Sequence, residues 1–194
     1  MIDGSRRVVR GRRLVSDASP AITIDVDVEF AYVGRLEFTL RDLARVERFV
    51  FVEHDRRQID RLVVVQFEGA LPGRSVSYDF EIAHPIRLGG ETYHQNTWVS
   101  SHAEEVARNP GGESDRTGGF LSERGLTHDD DLAMSRFARP VDDAHRHEII
   151  LFYIEAKRRF GLSVAEYAAL SSERRAAVDD ELLSRALATF LVTA

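Results

Sequence analysis

The sequence predicts a mainly β, α+β chain: a curved antiparallel sheet or barrel of about eight strands, with a short helical insertion and C-terminal helices. Three observations predict it. Apolar and polar residues alternate with a period of two through most of the first 156 positions, turn signals separate these runs, and capping boxes are confined to two later regions. Strand–helix–strand alternation is missing, which argues against a doubly wound parallel sheet.

Taken in order, Ile22, Ile24, Val26, Val28 and Phe30 alternate with polar residues and predict a half-buried strand. Gly34 breaks the pattern and Leu36, Phe38 and Leu40 resume it, so the two segments are expected to pair as a hairpin. Residues 46–53 and 61–69 are β-branched and aromatic-rich, with His54–Asp60 as their connecting loop. Leu71-Pro72-Gly73 signals a turn before an alternating run at 75–82, and Gly89-Gly90 a hairpin between 86–88 and 91–99. Ser101-x-x-Glu104 has capping-box spacing and opens a helix that stops near Asn109-Pro110-Gly111, with a second helix over 114–124. Residues 132–139 and 147–156 predict a last long hairpin. Ser163-x-x-Glu166 opens the helical C-terminus, where Ala177, Leu182 or Leu183, Ala186, Leu187, Phe190 and Leu191 share one face.

These elements are expected to form one domain over 1–194: a basic arm at 1–15, a β domain at 20–156 with a helical excursion near 101–125, and helices at 160–194. With 43% hydrophobic and 30% charged residues in 194, such a chain can bury a core without disulfides or metals, and it has no cysteine for either. A net charge of −6 argues against a nucleic-acid partner. Residues 1–13 hold five arginines against Asp3, which suits a solvated terminus or an edge strand guarded by its charges, with an arm that touches phosphates or an acidic partner as the alternative. No apolar run is long enough for a membrane span and no signal-peptide core follows the basic start, so the expected location is cytoplasmic. Lys157 is the only lysine, leaving one candidate for lysine chemistry.

No phosphate-cradling glycine loop, G-x-S-x-G elbow or H-E-x-x-H motif occurs. His145-x-His147 borders a turn, and Asp129-Asp130-Asp131 lacks the glycine and distal glutamate of a calcium loop. The most informative strand is 91–99, where Tyr93, Gln95 and Thr97 alternate with His94, Asn96 and Trp98, so that neither face is plainly apolar. Buried amides need partners, and aromatic area beside a few polar groups is the composition of a ligand pocket. With Arg136 as an anchor for anionic groups and Tyr153 nearby in pattern, the expected ligand-binding residues are Tyr93, His94, Gln95, Asn96, Trp98, Arg136 and Tyr153.

Asp25-x-Asp27-x-Glu29 resembles the Glu-x-Glu-x-Lys strand of the CYTH triphosphate-tunnel enzymes over five residues, with Glu29 where that motif has lysine. The resemblance implies an antiparallel barrel using Mg²⁺ on polyphosphates. The first expectation is therefore a β-barrel-like protein binding a small molecule in a mixed aromatic and polar pocket, with no metal or cofactor assigned. The alternatives are a Mg²⁺-assisted phosphate-ester or polyphosphate enzyme using Asp25, Asp27, Glu29, Glu53 and Glu68, and a homodimer formed through 49–52, 62–65 or the C-terminal helix.

Overall fold

Two arginines close the longest hairpin. Arg56 and Arg57 have positive φ (47° and 75°) and join β5 (Ala44–Asp55) directly to β6 (Gln58–Ala70), so the expected seven-residue loop is a two-residue turn between longer strands. A computed structural model describes residues 6–79 and 84–193 of the chain. Within it a second tight turn, Gly89-Gly90 (φ 58° and 86°), joins β7 (Pro85–Leu88) to β8 (Glu91–Ser101) as the sequence predicts. The pair β9 (Asp131–Pro140) and β10 (His147–Ala156) forms the last long hairpin, also as predicted.

These strands and β4 (Ala31–Leu40) build a seven-stranded antiparallel sheet in the order β4-β5-β6-β10-β9-β8-β7. A second antiparallel sheet holds β1 (Arg7–Arg10), β2 (Arg13–Ser16), β3 (Ile22–Val26) and β11 (Phe190–Thr193), in the order β1-β2-β3-β11. Among the described residues no pairing joins β4 to β7, so the large sheet is open and the barrel expectation is corrected. The physical reason is that both faces of this sheet are covered by other elements, which leaves no interior for closure to fill.

Two further expectations are corrected. β3 and β4 do not pair: the chain turns at Asp27, whose carboxylate accepts from Glu29 N (2.9 Å), and β4 enters the other sheet. Gly34 is no strand break. It sits at a register shift inside β4 with φ 135°, and a Cβ there would lie 3.1 Å from the Phe120 ring, so the glycine lets a helix close onto the strand. Of the run expected at 75–82, residues 75–79 are irregular and 80–82 lie outside the described residues.

The first face of the large sheet carries Phe49, Phe51, Val65, Phe137, Leu151 and Tyr153. It packs on Leu14, Ile24 and Val26 of the small sheet and on Leu182 and Ala186 of α5 (Ser172–Thr189). The second face carries Val50, Val52, Leu62 and Val64 under Phe120, Leu121 and Leu126. Cover on both sides explains why β5, β6 and β10 read as nearly continuous apolar runs. The segments 49–52 and 62–65 are thus buried mid-sheet and present no surface to a second copy. On α5 and β11, Leu182, Ala186 and Phe190 are buried, whereas Leu187 and Leu191 are exposed.

The predicted caps form. Ser101 Oγ accepts from Glu104 N (3.1 Å) at the start of α1 (His102–Arg108), and Ser163 and Glu166 make the reciprocal box that opens α4 (Val164–Ala168). Between them lie α2 (Glu113–Ser122) and α3 (Lys157–Phe160). No helix among the described residues is long and apolar enough to cross a membrane.

Candidate functional site

Antiparallel register sorts the second face of the large sheet into transverse rows whose chemistry changes along the strands. Trp98, Met134, Ile154, Leu62 and Val52 are successive partners across β8, β9, β10, β6 and β5. The next row is Asn96, Arg136, Phe152, Val64 and Val50, and the third is His94, Ala138, Ile150, Gln66 and Arg48. The fourth places Glu148 directly opposite Glu68. One end of the face is apolar and the other carries carboxylates.

The helical excursion roofs the apolar end. Asp130 anchors its start, accepting from Ala103 N (2.7 Å) and from Ser101 Oγ (2.7 Å), and these bonds hold its carboxyl below the ordinary aspartate range. Beneath α1 and α2 lies a cavity of about 340 Å³, within the range of small-molecule sites. Its floor is Leu62, Val64, Trp98, Met134, Phe152 and Ile154; Ser100, His102, Thr117 and His128 stand on its walls. Trp98, Met134, Phe152 and Ile154 are only half-buried, whereas their first-face neighbours Tyr93, Phe137 and Tyr153 are at 0% exposure.

Arg48 pins the roof to the sheet. Its guanidinium donates to Gln66 Oε1 (2.5 Å), Thr117 Oγ1 (2.6 Å), and the carbonyl and carboxylate of Glu113 (3.2 and 2.5 Å). Burial alone pushes its pKa down, and Glu113 opposes that. The chain of bonds continues from Gln66 Nε2 to Glu68 (2.8 Å), which also accepts from Tyr78 OH (2.9 Å). Burial raises the Glu68 carboxyl. Burial, then the charge of Glu68, pushes Glu148 up to about 8, against the pull of Arg136 at 3.6 Å.

At the opposite end, His102 and His128 meet edge to face with centroids 4.7 Å apart. Burial, then His128, lowers the pKa of His102, opposed by Asp130 and Asp115. Gly118 permits this approach, because a Cβ there would lie 2.8 Å from His102 Nε2, whereas a Cβ at Gly119 would meet nothing within 4 Å. Both glycines are inside α2, where glycine costs roughly 0.5–1 kcal/mol relative to alanine. Gly119→Ala is therefore expected to raise the unfolding free energy, read from urea titration, by about that amount, and Gly118→Ala to gain less or lose stability while displacing His102. Equal gains from both variants would show that the His102 contact is not tight.

Comparison with known proteins adds nothing to this geometry. No protein-family model, curated protein or solved structure matches the chain. The site is read from its own residues.

The seven residues expected to bind a ligand fall on both faces of the sheet. His94, Asn96, Trp98 and Arg136 share the second face, and of these Trp98 lines the cavity. Tyr93, Gln95 and Tyr153 point into the first-face core, where Gln95 donates to Thr97 (2.8 Å) and Tyr153 OH to Glu155 (2.6 Å). Sequence reasoning missed Arg48, Ser100, His102, His128, Met134 and Phe152. A signal existed for Arg48, a charge at alternate spacing between Val46 and Val50.

The five strand acids considered for magnesium are dispersed. Asp25 pairs with Arg13 (2.7 Å), Glu29 and Glu53 both hold Arg61, Asp27 caps a turn and Glu68 sits on the far face. Among the described residues no three His, Asp or Glu side chains are placed to hold a metal ion. Two other hollows are weaker candidates. One of about 370 Å³ is rimmed by the already paired Arg7 and Glu47 (2.7 Å). The other, about 570 Å³ between Asp129–Asp131 and Lys157–Gly161, offers no aromatic or aliphatic floor.

Proposed function

We propose that this chain binds a small, largely apolar molecule between the second face of its large sheet and the α1–α2 roof. One observation carries the reading: Trp98, Met134, Phe152 and Ile154, adjacent in the sheet, keep exposed apolar area around a roofed cavity of about 340 Å³. A core would have closed over that surface, as it has on the opposite face. Ligand burial there would recover roughly 25 cal/mol for each Å² removed from water.

Trp98 is the only tryptophan, so its emission reports on the cavity floor without interference. Titration with uncharged aromatic and short acyl compounds is expected to shift that emission for the ligands that also raise the melting temperature. At about 100 times Kd a true ligand adds about 2.7 kcal/mol of stability. Met134→Phe and Ile154→Phe, which fill the cavity from its floor, should abolish both effects and leave the far-ultraviolet spectrum unchanged. Stabilising compounds that leave Trp98 undisturbed, or that bind the filled variants equally well, would place the ligand elsewhere.

A further inference from the structure

We infer that the cavity selects an uncharged molecule bearing a hydroxyl group on a ring, a phenol or its hydroxylated equivalent, whose oxygen is met by Ser100 and His128. The inference rests on the binding reading above and narrows it to one chemical class.

Ser100 Oγ is buried on the cavity wall and has no hydrogen-bond partner among the described residues. A buried hydroxyl left unmet is costly, and a ligand atom at that wall removes the cost. His128, also on the cavity lining, has its Nδ1 role fixed by a backbone partner. Its Nδ1 lies 2.7 Å from the Asp129 carbonyl oxygen, and a carbonyl only accepts, so Nδ1 carries the proton and donates it. In the neutral tautomer that this bond selects, the lone pair is at Nε2. The cavity lining thus offers one hydroxyl that can donate and, in the neutral tautomer of His128, one nitrogen that accepts.

Few ligand groups answer both. A hydroxyl donates to Nε2 while accepting from Ser100, whereas an ether or a carboxylate only accepts. Anions face a second obstacle. Arg48, the one arginine or lysine on the cavity lining among the described residues, is already engaged by Glu113, Thr117 and Gln66, and the lining also carries the carboxylates of Glu105 and Glu113. Burial holds His102, edge-on to His128, toward its uncharged form. The remaining floor of Trp98, Met134 and Phe152 suits the face of a ring.

The test uses para-butylphenol, para-butylanisole and para-butylbenzoate, matched in size and differing at the polar group. Binding is read by calorimetry and by Trp98 emission excited at the red edge, clear of ligand absorption. The phenol is expected to bind at least about tenfold tighter than either analogue, equivalent to about 1.4 kcal/mol. His128→Phe should erase that preference, Ser100→Ala should weaken the phenol and the anisole alike, and Ser100→Ala should not lower the melting temperature. Equal affinities, or a preference for the benzoate, would overturn the hydroxyl inference and leave the cavity as the binding site. If none of the three shifts Trp98 or the melting temperature, both readings fall.

Discussion

At pH 8 the Glu148→Gln variant is expected to be more stable than the parent chain by roughly 2–4 kcal/mol, and the gap should close toward pH 5. The sign follows from the direction of the shift. Glu148 is raised from an ordinary value of 4.5 to about 8 in the folded chain. Between these values the folded state keeps a proton that the unfolded state has released, so stability falls as pH rises through the window. The full span sets an upper limit of about 5 kcal/mol; Arg136 loses its carboxylate in the variant, which reduces the gain. The cause is geometric: register places Glu148 opposite Glu68 on a buried face, and two adjacent carboxylates resist joint ionisation. Glu68 is raised in the same direction, by its own burial and by the charge of Glu113, which the substitution leaves in place.

Other groups act in other windows. Asp79, Asp130, Asp142 and Glu166 are lowered, and the stability they contribute is present above their unfolded values near 4 and lost as pH falls through their folded ones. His102 is lowered from 6.5, so stability falls as pH drops below that value. These contributions cancel when the variant is subtracted from the parent chain. Paired urea titrations at pH 5, 6, 7 and 8 isolate the carboxylate pair. A difference that does not change with pH would mean that Glu148 is ionised throughout.

The pattern of sheet and helix was legible because each element obeys a local rule. Alternation marked the strands, Gly89-Gly90 a tight turn, and the serines at 101 and 163 the helix starts. What alternation cannot supply is the partner of a strand. β3 and β4 lie side by side in the chain and in different sheets, since the turn at Asp27 redirects the backbone before the second run begins. β11 escaped because Phe190 and Val192 continue the apolar spacing of α5 while the backbone has become extended. Period two also sorts residues into faces without saying which face is covered. Tyr93 and Trp98 looked alike as pocket aromatics; the small sheet and α5 buried the first, and the α1–α2 roof left space above the second. The wall residues Ser100, His102 and His128 gather across the excursion between β8 and β9, which carries no motif linking its ends.

Replacing Arg48 is expected to loosen that roof before it unfolds the sheet. The guanidinium bonds both β6 and α2, through Gln66 on one side and Thr117 and Glu113 on the other. Arg48→Ala removes four hydrogen bonds and leaves Gln66, at 0% exposure, with an unmet carbonyl; a loss of about 3–5 kcal/mol follows. Glu113 is partly exposed and can turn to water, which places the cost at Gln66 and in the cavity left behind. Arg48→Met fills most of that volume without the charge, and its expected loss is smaller, about 1–3 kcal/mol. Amide exchange separates roof from core. In the methionine variant the amides of 113–122 should exchange faster while those of β10 keep their protection, and Trp98 emission should move toward that of a solvated indole. Uniform acceleration across both elements would make Arg48 a part of the general core. Selective loosening would make the Arg48–Glu113 contact the fastening that gives the cavity its roof, and ligand affinity should then fall in parallel with roof protection.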